Sequence, residues 1–277
     1  MKPKFEEVLF KTFCWITVLI VVLILAMIIG NVLTHGLNSI NLEFLLESPR
    51  GMGKEGGIYS SIVATFYLIL LSLLVATPIG VGASIFLTEY KRKGELLKMI
   101  RFTTESLAGI PSIIFGIFGF AFFVIYLRMG WSILSGGLTL ALMILPTMIR
   151  TAEEAIIAVP NPYREGSLAM GATKWQTIVK VVLPSALPGI ITGTILSIGR
   201  AVGESAAVIL TAGSALGIPK SLVAPGRSMA VHMYVLSVEG ISMEKAYGTG
   251  AVLIITIIII NFLTNFLTTR QRVKMFR

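Results

Sequence analysis

Aspartate does not occur in this sequence. Histidine occurs only as His35 and His232, and cysteine only as Cys14. Without Asp there is no Ser-His-Asp triad, and so few soft ligands remove most metal sites; no metal site and no catalytic group are expected. A lone cysteine excludes an intrachain disulfide. No GxxxxGK[ST] string is present, and the nearest stretch, "GMGKEGG" at 51–57, follows its Lys with Glu and has the wrong spacing. The chain has no visible means of hydrolysing ATP and is not expected to be an enzyme.

Charge is the other scarcity. Charged residues make up 13% of the 277, against roughly 25% in soluble domains. Hydrophobic residues make up 55% and mean hydropathy is +0.87. The reading is an all-α integral membrane protein in contact with lipid. The net charge of +9 is explained by basic loops on one membrane face, so no nucleic acid partner is expected.

A span needs about 20 apolar residues. Six segments qualify, at about 14–34, 58–87, 107–127, 132–149, 184–213 and 247–268, and 1–277 reads as a single transmembrane domain. The fourth should continue as helix through "RTAEEAIIAV". The first is too long for a signal peptide and lacks an A-x-A-like cleavage site, so it reads as a retained anchor. With the N-terminus inside, 16 Lys and Arg, including Lys2, Lys4, Lys91, Arg92, Lys93 and Arg277, fall on the inner side and 6 on the outer; Arg200 completes the 23. Both termini are therefore expected in the cytoplasm. Gly109, Gly116 and Gly119 should allow close helix approach. Pro78, Pro111 and Pro146 should kink or interrupt their helices.

The longest inner connection, about 150–183, is too well punctuated for an idle loop. In "NPYREGSLAM", Asn161 is placed to cap a helix with Pro162 at its first position, and Gly171 should stop it. Thr173 and Gln176 have capping-box spacing, and a second helix should run to Leu183–Pro184. The expected shape is an L with small and apolar residues, Ala169, Met170, Ala172 and Trp175, near its bend. Such a surface suits a protein partner or the lipid headgroups.

One pattern in this stretch resembles the importer permeases of the ATP-binding-cassette (ABC) class. Their consensus is Glu-Ala-Ala, three residues, Gly, nine residues, Ile, one residue, Leu-Pro. Here it reads Glu165, Gly166, Ser167, then Gly171, then Val181, then Leu183–Pro184. Gly166 and Ser167 replace the two Ala, and Val181 replaces Ile. The strings "NLEFLLESP", "ATPIGVGASIFLTEY", "ESLAGIPSIIFGIFGF", "TLALMILPTMIRTAEEAIIAVP" and "GRAVGES" look like the A-type permease subunit of phosphate-specific importers, from about residue 40 to the C-terminus. The resemblance implies a six-span type I ABC importer permease fold in a bacterial or archaeal cytoplasmic membrane. It implies that Glu165, Gly166, Ser167, Ala169, Met170, Gly171, Ala172 and Thr173 form a coupling helix seated on an ATPase subunit. The implied partners are a C-type permease subunit, two ATP-binding cassette subunits that hold ATP-Mg, an extracytoplasmic phosphate-binding protein, inorganic phosphate and membrane lipid. This chain itself is expected to hold no cofactor.

Two charged groups remain. Arg200 lies within roughly 2–3 Å of the middle of a 184–213 helix, at about 1.5 Å per residue, and Glu204 is one turn on. A charge at that depth costs at least about 2.5–3.5 kcal/mol, so neither can face lipid. On one helix they could pair at i,i+4, either fixing register or lining an anion pathway in which the guanidinium fork attracts an oxyanion. Arg150, Glu153 and Glu154 can satisfy one another at the inner end of span four, as a structural or gating cluster. Permeation of another oxyanion (molybdate, sulfate), an ATP-independent channel or secondary transporter, and a non-transporting scaffold are the alternative functions.

Overall fold

The computed structural model describes residues 5–90 and 94–275. Lys2, Lys4, Lys91, Arg92, Lys93 and Arg277, which enter the charge count, lie outside the described residues. No strand forms among the described residues; one isolated bridge joins Arg50 and Glu55.

Helix α1 (Phe5–Gly36) is apolar all round and its hydrophobic window buries nothing inside the chain. Such a helix is solvated by lipid or by another subunit. It packs along α12 (Met243–Met275), which follows at the far end of the sequence. Between them come α2 (Leu42–Leu46), α3 (Tyr59–Ile85) with a π turn at Phe86–Tyr90, α4 (Glu95–Ala108), α5 (Ser112–Gly119) with a π segment to Tyr126, and α6 (Ile133–Ile157). Then follow α7 (Asn161–Ala169), α8 (Lys174–Thr177), α9 (Leu183–Val202), α10 (Ala206–Thr211) and α11 (Met229–Val238).

Among the described residues, five helices are long and apolar enough to cross a membrane, and the bent pair α4–α5 makes up to six. Two expected spans are corrected. The third does not run as one helix over 107–127: α4 and the Ser112–Tyr126 segment meet at 101°. Gly109 ends α4, and Pro111 takes an extended backbone (ψ 140) before α5. Helix α4 carries Glu95, Lys98, Arg101 and Glu105, so it cannot enter lipid, while the segment after Pro111 is uncharged to Tyr126. The fifth span is displaced: a continuous helix runs Lys174–Val202 and stops there, well before residue 213. The fourth extends to Ile157 as expected.

Helix α6 is the axis of the bundle, more deeply buried than any other span, and its broadest interface is with α3. Leu68, Leu140, Met143, Ile144 and Met148 close the centre. A second apolar group, Ile156, Ile178 and Val182, seals the end that carries residues 150–183, and a third, around Phe44, Ile58 and Met229, seals the opposite end. In lipid such contacts hold helices by close packing rather than by water exclusion, which favours small residues. Gly119 serves that purpose: a Cβ there would lie 2.1 Å from Thr139 Oγ1 on α6. Gly116 meets α10 in the same way, its Cβ falling 2.9 Å from Ala207 Cα. Gly109 does not approach another helix and serves only to end α4. Pro111 interrupts as expected, whereas α3 and α6 stay continuous through Pro78 and Pro146.

At the end opposite the 150–183 connection, a turn at 50–56 is pinned from below. Arg227 donates to the carbonyls of Ser214 and Met52, and Lys245 to that of Gly56. His232, on α11, lies fully buried under Gly53, and neither ring nitrogen has a hydrogen-bond partner. Burial, then Arg227, then Lys245 lower its pKa from 6.5 to about 4. The imidazole is therefore neutral in the fold.

Two outcomes follow. Gly119→Val should separate α5 from α6 and lower the melting temperature in detergent, as overpacking costs about 1–3 kcal/mol; Gly109→Ala, whose Cβ meets only Ser106 O at 3.6 Å, should not. Second, between pH 6.5 and about 4 the unfolded chain binds a proton that folded His232 excludes, so stability falls as pH drops through that window and levels below it. Melting curves recorded across that window should show the fall, and His232→Leu should flatten it.

Candidate functional site

The Arg200–Glu204 stretch is not a helical i,i+4 pair. Gly203 ends α9, and the chain breaks over 203–205 before α10 begins. The break carries Glu204 off the face of Arg200, and no ion pair joins them. Glu204 Oε1 instead accepts from Ala207 N at 3.1 Å, covering an open donor at the start of α10. Arg200 sits in the last turn of α9, not mid-helix, half-buried and without a hydrogen-bond or ion-pair partner among the described residues. An unengaged guanidinium fork can take an oxyanion in two parallel hydrogen bonds.

The 150–183 connection forms the L. Its first arm, α7, is capped by Pro160 rather than Asn161, which is the first helical residue, with Pro162 in the first turn. Gly171 has φ +85, a conformation that lets its own N–H and that of Ala172 return to Leu168 O and Ser167 O. The capping box is present: Thr173 Oγ1 accepts from Gln176 N and Gln176 Oε1 from Thr173 N. Ser167 and Thr177, both buried, meet at 2.9 Å and close the inner corner. The second arm does not end at Leu183–Pro184. It passes through a π turn at Ile178–Val182 into α9, so the arm and the span are one rod. Pro184 has no N–H for the carbonyl four residues back, and the wider turn stands where that bond is lost.

On the outside of the L, Met170 is 85% exposed, with Tyr163, Leu168 and Trp175 beside it. Glu165, Gly166, Ala169, Gly171 and Thr173 are also exposed, Ala172 is half-buried and Ser167 faces inward. The bend thus presents a contiguous small and apolar surface next to a carboxylate.

The charge cluster on α6 is only partly self-contained. Arg150 pairs with Glu154 at 3.3 Å and approaches Glu105 of α4 at 4.0 Å. Glu153 pairs with Arg101, also on α4. Sequence spacing along one helix could not reveal a partner on α4. Arg101, Glu105, Arg150 and Glu153 line a cavity of about 350 Å³ with Pro146 and Thr147.

Sequence reasoning missed Glu89 and Arg164. Both are under 10% exposed, and Arg164 Nε donates to Glu89 Oε1 at 2.9 Å. The rest of the guanidinium donates to Val159 O, just past α6, at 2.6 Å and to Ile156 O, in its last turn, at 2.8 Å. Lys174 donates to the Glu89 carbonyl and lies 4.6 Å from the Tyr90 ring centroid. The available signal was a lone carboxylate closing the apolar run "ASIFLTEY" and an arginine directly before Glu165. Among the described residues no group of His, Cys or Glu could hold a metal. The arrangement suits mechanical linkage and anion attraction.

Comparison with known proteins agrees with that geometry. Residues 76–277 match the family described as "Binding-protein-dependent transport system inner membrane component". The chain is 32% identical to the probable ABC transporter permease protein YqgI of Bacillus subtilis, covering 90% of each. It is 35% identical to the phosphate transport system permease protein PstA of Pasteurella multocida, over 76% of this chain and 74% of the relative. Among solved structures, a bacterial alginate ABC transporter superposes with TM-score 0.70 at 16% identity, over 96% of this chain and 95% of the other. The MetNI methionine ABC transporter, in an inward-facing form, gives 0.61 at 21%, over 78% and 94%. At such identities the likeness is one of fold, which is that of an ABC importer permease. With its spans, its L-shaped connection and a family match covering residues 76–277, this chain belongs to the binding-protein-dependent transport system inner membrane components.

Proposed function

We propose that this chain is one permease half of an ATP-driven phosphate importer. The observation that carries the reading is the L of α7 and α8: an exposed bend built on a capping box and continuous with a membrane span. A bend so constructed can pass a push from a soluble partner directly into the bundle. Relatives named as phosphate transport permeases support phosphate as cargo.

In this reading the termini and the L face the cytoplasm, where the excess of Lys and Arg lies. Two ATPase subunits, which hold the ATP-Mg, engage the L and its counterpart on a C-type permease subunit. A binding protein outside the membrane delivers phosphate to the opposite end. Arg200, unpaired at the end of α9, attracts the anion. Glu204 serves as the cap of α10 in this state and can reclaim Arg200 once the anion has passed, which keeps binding weak enough for release. Arg150, Glu153 and Glu154, with Arg101, hold the cytoplasmic ends of α4 and α6 together as an inner closure. A molybdate or sulfate permease shares every one of these features, and competition by those anions in a radiolabelled phosphate uptake assay separates the readings.

Arg200→Gln removes charge-assisted hydrogen bonds of about 1.5–3 kcal/mol each, so phosphate uptake by the whole transporter should fall about tenfold or more. Normal uptake in Arg200→Gln and Glu204→Gln alike removes both residues from the pathway. Gly171→Val forces a β-branched residue into φ +85, at a cost of about 1–2 kcal/mol, and should tilt α7. Phosphate transport should drop while ATP hydrolysis continues; unchanged transport would refute a docking role for the bend.

A further inference from the structure

Helix α7 packs chiefly against its own second arm, α8 and the π turn that follows. Its other attachment is the three-residue link 158–160 to the end of α6. A single side chain adds a further fixing. Arg164 sits in the middle of α7 and reaches three places at once: Glu89 beyond the end of α3, and the carbonyls of Ile156 and Val159 at the end of α6. Lys174 at the start of α8 adds a bond to the Glu89 backbone. The two arms of the L are therefore both tied to the tip of α3.

The placement is informative because a buried ion pair is a poor source of stability. Its desolvation offsets most of the attraction, and apolar residues of the same size commonly do as well. What a guanidinium at this position offers instead is direction: a planar donor set fixed simultaneously to a carboxylate and to two carbonyls.

We propose that Glu89 and Arg164 are the coupling strut of this permease, positioning residues that make α7 move as one body with the ends of α3 and α6. Displacement of the L then reaches α3 and α6 directly, and not only through α9. The inference rests on the importer reading above and concerns how that importer is driven.

The test uses the complete complex with its partner subunits in proteoliposomes, reading ATP hydrolysed per phosphate moved. A residue that only supports folding lowers the amount of active complex and leaves that ratio alone. Glu89→Gln and Arg164→Lys should raise it about tenfold, as expected for the loss of a buried charge-assisted contact. A ratio equal to the parent's in both variants overturns the strut. A second measurement keeps both residues intact. In a Cys14→Ser background, spin labels at the exposed positions Phe86 and Met170 should keep one separation with and without ATP. A change in that separation on adding ATP overturns the proposal even if neither variant assembles. Should the parent complex move no phosphate on ATP, the importer reading fails instead, and the label distance still reports whether α7 and the α3 tip move together.

Discussion

Hydrocarbon offers no partner to a polar group, and this constraint organises the whole chain. Hydroxyls within spans turn back to their own helix: Thr17, Thr65, Thr139, Thr151 and Ser197 each donate to the carbonyl four residues before. Charges are sent to helix ends and connections, where the ion pairs among the described residues form. Helix α4, which carries charge along its length, is turned through 101° from the apolar segment that follows. The bundle can then be packed by small residues and apolar contacts alone, with α6 at its centre.

Within that order, two arginines meet the constraint in opposite ways. Arg164 is buried and fully engaged, binding one carboxylate and two carbonyls. Arg200 is half-buried and unengaged, its neighbour Glu204 occupied by a backbone donor. The first arrangement is rigid and suits transmission of force. The second leaves the guanidinium donors without a partner among the described residues.

The apolar runs, the charge asymmetry and the capping signals were plain in the linear sequence because each is a local property. Length and hydropathy place spans; Thr173 with Gln176 and the glycine at 171 place the bend of the L, whose geometry depends on residues only a few positions apart. Helix ends were less legible. Pro184 suggests a stop, yet the helix runs through it, widened into a π turn over the residues just before. Gly203 ends α9, which the i,i+4 spacing of Arg200 and Glu204 does not reveal. Whether a glycine or proline breaks a helix depends on what surrounds it.

By itself, then, the sequence determined that this is a multi-pass helical membrane protein with a punctuated connection at 150–183, and it marked Arg200 and Glu204 as out of place. Tertiary structure decided who pairs with whom. Glu153 found Arg101 rather than its neighbours, Glu204 found a backbone amide rather than Arg200, and Glu89 found Arg164 seventy-five positions away. The physical reason is the same in each case. Each of these carboxylates is met by an opposite or hydrogen-bonding group close in space, and closeness in space is set by how the helices pack, which no local pattern encodes.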